Sequence, residues 1–165
     1  MLFALMTMVI SMIGDALVQP EELAAPVAGP LEKAKVEKAA LPAQPAEPEP
    51  IAVLLKSADT AAGKKAARKC AGCHSMSRDG KNKVGPNLWN VVNAGKGAQP
   101  GFSYSGAMKA AGGKWDFEAL DQYLLKPKSF IPGTKMVFSG VRKATDRANI
   151  IAYLRALSDS PAALP

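Results

Sequence analysis

Both cysteines and the only histidine of the chain stand inside five residues, CAGCH at 70–74. No other feature limits the possible folds as tightly. Two residues between the thiols put Cys70, Cys73 and His74 on one helical turn, so three reactive groups converge on a single object. One His and two Cys cannot supply the four ligands of a structural zinc site. The same counts exclude a disulfide-dense scaffold and any catalysis that needs two histidines. A thioredoxin-like redox pair wants a preceding strand in a βαβ setting, whereas DTAAGKKAARKC is rich in Ala and Lys and reads as a helix. A plain disulfide between cysteines three apart would leave the neighbouring His unexplained. The spacing is the attachment signal for a c-type haem, with one thiol for each of two vinyl groups and the imidazole beneath the iron.

With His74 the only histidine, the sixth iron position is left to a Met, a Lys or nothing. Three methionines follow the motif: Met76, Met108 and Met136. Met76 is too near His74 in sequence to reach the opposite face. Met136 lies in FIPGTKMVFSG, where Pro132 and Gly133 can turn a loop that presents its thioether. It is the expected ligand, with Met108 or a lysine as alternatives.

The rest of the chain divides into stretches of different composition. Leu2–Gly14 is uncharged and is followed by the acidic residues Asp15, Glu21 and Glu22. It is short for a membrane span, which takes about 20 apolar residues. The expected domain at 1–19 is a hydrophobic membrane anchor or signal segment, with the acidic flank outside the cytoplasm. Residues 20–56 carry seven prolines, many alanines and no aromatic residue. Such a segment cannot bury enough apolar surface to offset its ordering entropy, and it reads as a disordered linker. A flexible chain of that length spans about 35 Å and an extended polyproline one about 115 Å. Nine of the ten aromatics follow residue 56, so the folded domain is placed at 57–158, with a tail at 159–165.

Three helices are expected in that domain. DTAAGKKAARKC begins at an Asp59 or Thr60 cap, WDFEALDQYLLK runs from Trp115 to just before Pro127, and TDRANIIAYLRALS begins at a Thr145 or Asp146 cap. No alternating apolar run is long enough for a sheet, so the fold class is all-α. Residues 1–56 hold four Lys and seven Asp/Glu, a formal −3, and residues 57–165 hold twelve Lys, five Arg and seven acids, a formal +10. The cations are not interleaved with exposed aromatics, which argues against nucleic acid. Lys69, Lys81, Lys83, Lys128, Lys135 and Lys143 flank the segments expected around the haem edge, where they would steer the domain onto acidic partners.

Beyond CAGCH, the strings VGPNL (84–88), PGFSYS (100–105), YLLKPKSFIPGTKMVFSG (123–140) and IIAYL (150–154), together with Trp115, resemble a class I cytochrome c over residues 59–157. With the hydrophobic N-terminus and Pro/Ala linker, the whole chain resembles the membrane-anchored, cytochrome cy-like proteins of Alphaproteobacteria. That resemblance implies one covalent haem c per chain and axial ligation by His74 and Met136, a pairing associated with raised potentials. It implies that the Pro86 carbonyl orients His74, that Tyr104 and Trp115 hydrogen-bond a haem propionate, and that Tyr123 and Thr134 line the Met136 side. Gly63 would let the first and last helices meet near Tyr153. The implied function is one-electron transfer, without catalysis, from a cytochrome bc-type complex to a haem–copper terminal oxidase. The implied carrier is a monomer on the periplasmic side of the bacterial cytoplasmic membrane. Asn93-Ala94-Gly95 stands where many relatives carry an Arg behind the inner propionate, Met108 where many carry Asn, and Ala67 at the usual aromatic place of the first helix.

Overall fold

A computed structural model of the chain describes residues 49–165. The expected anchor at 1–19 and most of the expected linker lie outside these residues. Among the described residues there are seven helices and no strand, apart from one isolated antiparallel bridge between Gly95 and Lys114.

The first helix corrects the linker boundary. Residues Ile51–Lys56 form α1, with Ile51 5% and Leu55 3% exposed. The two are four residues apart and share a helical face, which packs on the helices Phe117–Leu125 and Ala144–Ala156. Composition misassigned this turn because its neighbours are Pro and Glu; its own residues, IAVLLK, are apolar.

Helix α2, Thr60–Ala66, starts where Asp59 accepts hydrogen bonds from the Ala61 and Ala62 amides at 2.7 and 3.2 Å. The carboxylate satisfies two amides that have no partner within the helix. The segment expected as one helix breaks at Ala67 and resumes as α3, Arg68–Ala71. Ser105 caps the short α4, Gly106–Ala110, by accepting from the Met108 amide at 3.1 Å. Helix α5 runs Phe117–Leu125, with Asp116 accepting from the Ala119 amide at 2.8 Å, so Trp115 lies just outside it. It stops at Lys126 because a residue before proline is pushed out of the helical region. Pro127 then opens α6, Pro127–Phe130.

The last helix, α7, spans Ala144–Ala156, and neither Thr145 nor Asp146 caps it. Its N-cap is Lys143, and the preceding turn is held by the Arg147 guanidinium, which donates to the Val141 and Arg142 carbonyls at 3.0 and 2.7 Å. Arg147 is 5% exposed and pairs with Asp121 of α5 through two bonds of 2.7 and 3.3 Å. This bond set ties α5 to α7 beside Ile150, Ile151 and Leu154. Removing one partner of a buried pair leaves the other charge uncompensated. Arg147→Ala should therefore cost about 3 kcal/mol in denaturant unfolding. A loss under about 1 kcal/mol would mean that Asp121 finds water instead.

The most extensive helix–helix packing is α2 against α7. It depends on Gly63, where an added Cβ would come 1.9 Å from the Asn149 carbonyl oxygen and 3.0 Å from the Tyr153 Cβ. Asn149 also accepts the Asp59 amide through Oδ1 at 2.9 Å, joining the start of α2 to α7.

Candidate functional site

Helix α3 and the turn after it carry the motif. The amides of Cys73 and His74 both donate to the Cys70 carbonyl, at 3.1 and 2.9 Å, so the two thiols and the imidazole share one helical turn. The cysteines are not bonded to each other. Burial pushes the Cys70 thiol above its ordinary value, against Lys69, which lowers it, and with Cys73, which raises it further. A redox-active thiol pair needs the opposite shift.

His74 is oriented by the next loop. Its Nδ1 lies 2.7 Å from the Pro86 carbonyl, which makes Nδ1 the protonated nitrogen and leaves Nε2 as the nitrogen for a metal. Burial lowers the His74 pKa; the Pro86 carbonyl opposes this and the Lys83 charge adds to it, so the neutral imidazole that metals require is favoured at neutral pH. The loop approaches the ring closely because residue 85 has no side chain: a Cβ on Gly85 would stand 2.4 Å from the imidazole Cε1 and 2.8 Å from both ring nitrogens.

Asn87, beside Pro86, holds this loop in shape. It is 5% exposed, donates through its side-chain amide to the Ser77 and Gly80 carbonyls, and accepts the Trp89 amide at 2.7 Å. Its own amide goes to Asn82 at 2.9 Å. Nothing in the string VGPNL assigns this role directly; the signal it carries is an Asn amid turn residues. The Gly85 amide also donates to the Cys73 carbonyl at 2.8 Å, and the Lys83 ammonium donates to the Ala71 carbonyl at 2.9 Å. These bonds fix the Pro86 loop to the cysteine turn.

A second group of expected site residues is gathered by α5 and the loop after α6. Trp115 and Tyr123 are buried, with ring centroids 4.8 Å apart. Tyr123 Oη and Thr134 Oγ1 share a hydrogen bond of 2.8 Å, and the Met136 amide donates to the same Oγ1 at 3.3 Å. Burial raises the Tyr123 pKa, opposed by Thr134, so its hydroxyl stays protonated. Met136 is half buried and packs on the core, and so does Tyr104, which meets Phe102 edge to face at 4.7 Å. The alternative ligand Met108 is 5% exposed within α4, and Ala67 is fully buried.

Two free thiols on one turn, an imidazole with Nδ1 engaged and Nε2 available, and a loop with no room for a side chain against that ring fit a covalently attached haem. Cys70 and Cys73 would hold the macrocycle and His74 its iron.

Comparison with known proteins agrees with this chemistry. The family model for cytochrome c matches residues 60–158. A cytochrome c homologue of Bradyrhizobium diazoefficiens is 48% identical over 118 residues, which cover 71% of this chain and 64% of that protein. This chain thus matches less than two thirds of that relative's length. The cytochrome c2 of Rhodomicrobium vannielii is 46% identical over 96 residues, covering 58% of this chain and 77% of its own. Among solved structures, the cytochrome cH from Methylobacterium extorquens matches with a TM-score of 0.57 and 44% identity, covering 59% of this chain and 98% of its own. The matched family segment ends ahead of the tail at 159–165 and begins after α1.

Proposed function

The chain belongs to the cytochrome c family, which binds covalently attached haem c, and from that premise we propose that it is a one-electron carrier of a respiratory chain. The observation that carries this reading is the bond from His74, in the CAGCH turn, to the Pro86 carbonyl twelve positions on, which would leave Nε2 free to bind iron. Haem bound there supplies a ferrous/ferric couple at a fixed site. Cys70 and Cys73 would hold it covalently, and His74 and Met136 would ligate its iron. Tyr123 and Thr134 hold the Met136 loop in place. With His74 held by Pro86 and the Met136 loop held by Thr134, these ligands would move little as the iron changed oxidation state. An enzyme acting on a small substrate would instead need one axial position open.

For its partners we propose a cytochrome bc-type donor and a haem–copper terminal oxidase as acceptor. Supporting this are exposed apolar residues close in sequence to lysines. Val84 and Val137 are 82% and 87% exposed and adjoin Lys83 and Met136 in the chain. Lys83 is held on the Ala71 carbonyl, and Lys135 on that of Ser103 at 2.8 Å, so both ammonium groups are placed before any encounter. Exposed apolar side chains together with fixed cations suit small, transient, salt-sensitive redox contacts. Lys128→Glu or Lys135→Glu should then slow electron delivery to the oxidase about tenfold at low salt, and Lys109→Glu far less. Stopped-flow kinetics with the haem-loaded chain would measure this. Equal slowing by all three would reduce the effect to net charge.

For location we propose the periplasmic side of the bacterial cytoplasmic membrane, with residues 1–19 as the attachment and the linker ending at Pro50 as the tether. No helix among the described residues is long and apolar enough to cross a membrane. Fractionation of native cells with haem staining tests this: stain in the membrane fraction supports the anchor. A soluble mature chain lacking the first 18 residues would make that segment a signal peptide.

A further inference from the structure

The loop that orients His74 has two arms, residues 77–80 and 86–89, and two residues join them. One is the buried Asn87, which donates to the Ser77 and Gly80 carbonyls and accepts the Trp89 amide. The other is Asp159, an exposed residue of the C-terminal tail. Its carboxylate pairs with the Arg78 guanidinium on the first arm. It also accepts the indole N–H of Trp89 on the second arm, at 3.5 Å. Arg78 lies over the same indole, 5.9 Å from the ring centroid, so the three side chains touch one another in a closed set. Asp79 is nearer to Arg78 in sequence but makes no ion pair among the described residues.

The tail is brought to this place by its own bonds. The Asn90 amide donates to the Leu157 carbonyl at 2.8 Å, and Leu157 is buried at the end of α7. Ser158 accepts the Ser160 amide at 3.1 Å and turns the chain around Asp159. The Arg155 guanidinium of α7 donates to the Ala162 carbonyl, so the tail folds back toward the helix it leaves. Asp159 is the first residue beyond the segment matched to the family model.

We propose that Asp159 is a positioning residue for His74: by joining Arg78 to Trp89 it holds the two arms together and keeps the Pro86 carbonyl on the imidazole. The proposal rests on the haem reading and deepens it by assigning the tail a part in orienting the iron ligand. A carbonyl that engages the far nitrogen of a metal-binding histidine fixes the orientation of its ring. The side chains of Arg78 and Asp159 are 63% and 45% exposed, and an ion pair in that setting contributes little to the stability of a whole domain. Opening one loop breaks far fewer contacts than unfolding, so the same pair can set how often that loop opens. The effect of Asp159 is therefore local.

The experiment is hydrogen–deuterium exchange on the haem-loaded full chain, followed by NMR at two protons. The Nδ1 proton of His74 reports opening of the bond to Pro86, and the amide of Ile151, fully buried in α7, reports opening of the core. Asp159→Asn should speed exchange at His74 about three- to fivefold, the range of an exposed pair, and leave Ile151 unchanged. Arg78→Gln should act alike, and the double variant should go no further than the larger single effect, because the two residues form one contact. Ending the chain after Ser158 should speed exchange at His74 at least as much as Asp159→Asn. Glu118→Gln removes an exposed acid from α5 and should change neither proton. Unchanged exchange at His74 in Asp159→Asn overturns the proposal. Equal acceleration at His74 and Ile151 also overturns it, since the tail would then act on general stability. Native chain isolated without covalent haem would overturn the underlying haem reading, whereas full haem with unchanged exchange overturns the Asp159 assignment alone.

Discussion

Replacing Met136 by Ala should abolish the iron–thioether charge-transfer band of the ferric protein and open the ferrous protein to carbon monoxide at neutral pH. The loop bearing Met136 is held from Tyr123 through Thr134, which also accepts the Met136 amide. Alanine leaves that loop braced but places no thioether in the site. The competing residues are engaged elsewhere. Met108 is 5% exposed inside a helix whose first turn Ser105 caps, and the Lys135 ammonium is bound to the Ser103 carbonyl. Neither can move to the iron without breaking these contacts. An unchanged band in Met136→Ala would make Met108 the ligand. A lost band with no carbon monoxide binding would point to a lysine.

Gly63→Ala should destabilise the folded domain by at least about 2 kcal/mol, although alanine is the better helix former. Propensity favours Ala over Gly by about 1 kcal/mol in a helix interior. Against that stands a Cβ placed 1.9 Å from the Asn149 carbonyl oxygen, which is backbone and cannot rotate away. Helices α2 and α7 must separate, loosening the most extensive helix–helix packing of the domain. Overpacking of this kind costs about 1–3 kcal/mol, and more where backbone must move. Gly72→Ala is the control, because nothing lies within 4 Å of its added Cβ. Thermal unfolding should show a midpoint lowered by roughly 8–16 °C for Gly63→Ala. A midpoint equal to that of Gly72→Ala would refute the close α2–α7 approach.

Much of the site was legible from residue spacing. CAGCH required three groups on one turn, and the backbone bonds from Cys73 and His74 to Cys70 provide that turn. Asp59 was legible as a cap because a carboxylate before Thr-Ala-Ala has free amides within reach. The helix before Pro127 ended as the proline demands. Other boundaries were not legible. The start of α7 is set by Arg147 folding back onto the Val141 and Arg142 carbonyls, whereas local sequence points to Thr145 or Asp146 as a side-chain cap. Residues 51–56 looked like linker because their flanks dominate any composition window; what makes them a helix is an apolar face with α5 and α7 to bury it.

The groups available for chemistry are legible in the covalent order alone: two thiols and one imidazole at a fixed spacing, a single histidine, a methionine in a loop with Pro and Gly, and a basic domain after an acidic stretch. These follow from covalent order and from contacts within about one helical turn, whose geometry hardly depends on the rest of the chain. Which nitrogen of His74 is left for metal depends on the folded chain, since the Pro86 carbonyl that engages the other lies twelve positions away. The tertiary structure likewise decides that Arg147 meets Asp121 across 26 positions and that Lys96 lies over Trp115. Such pairs form where packing brings the backbone back, at points that no local preference specifies. Their strength comes from a burial that exists only once the helices have closed on one another.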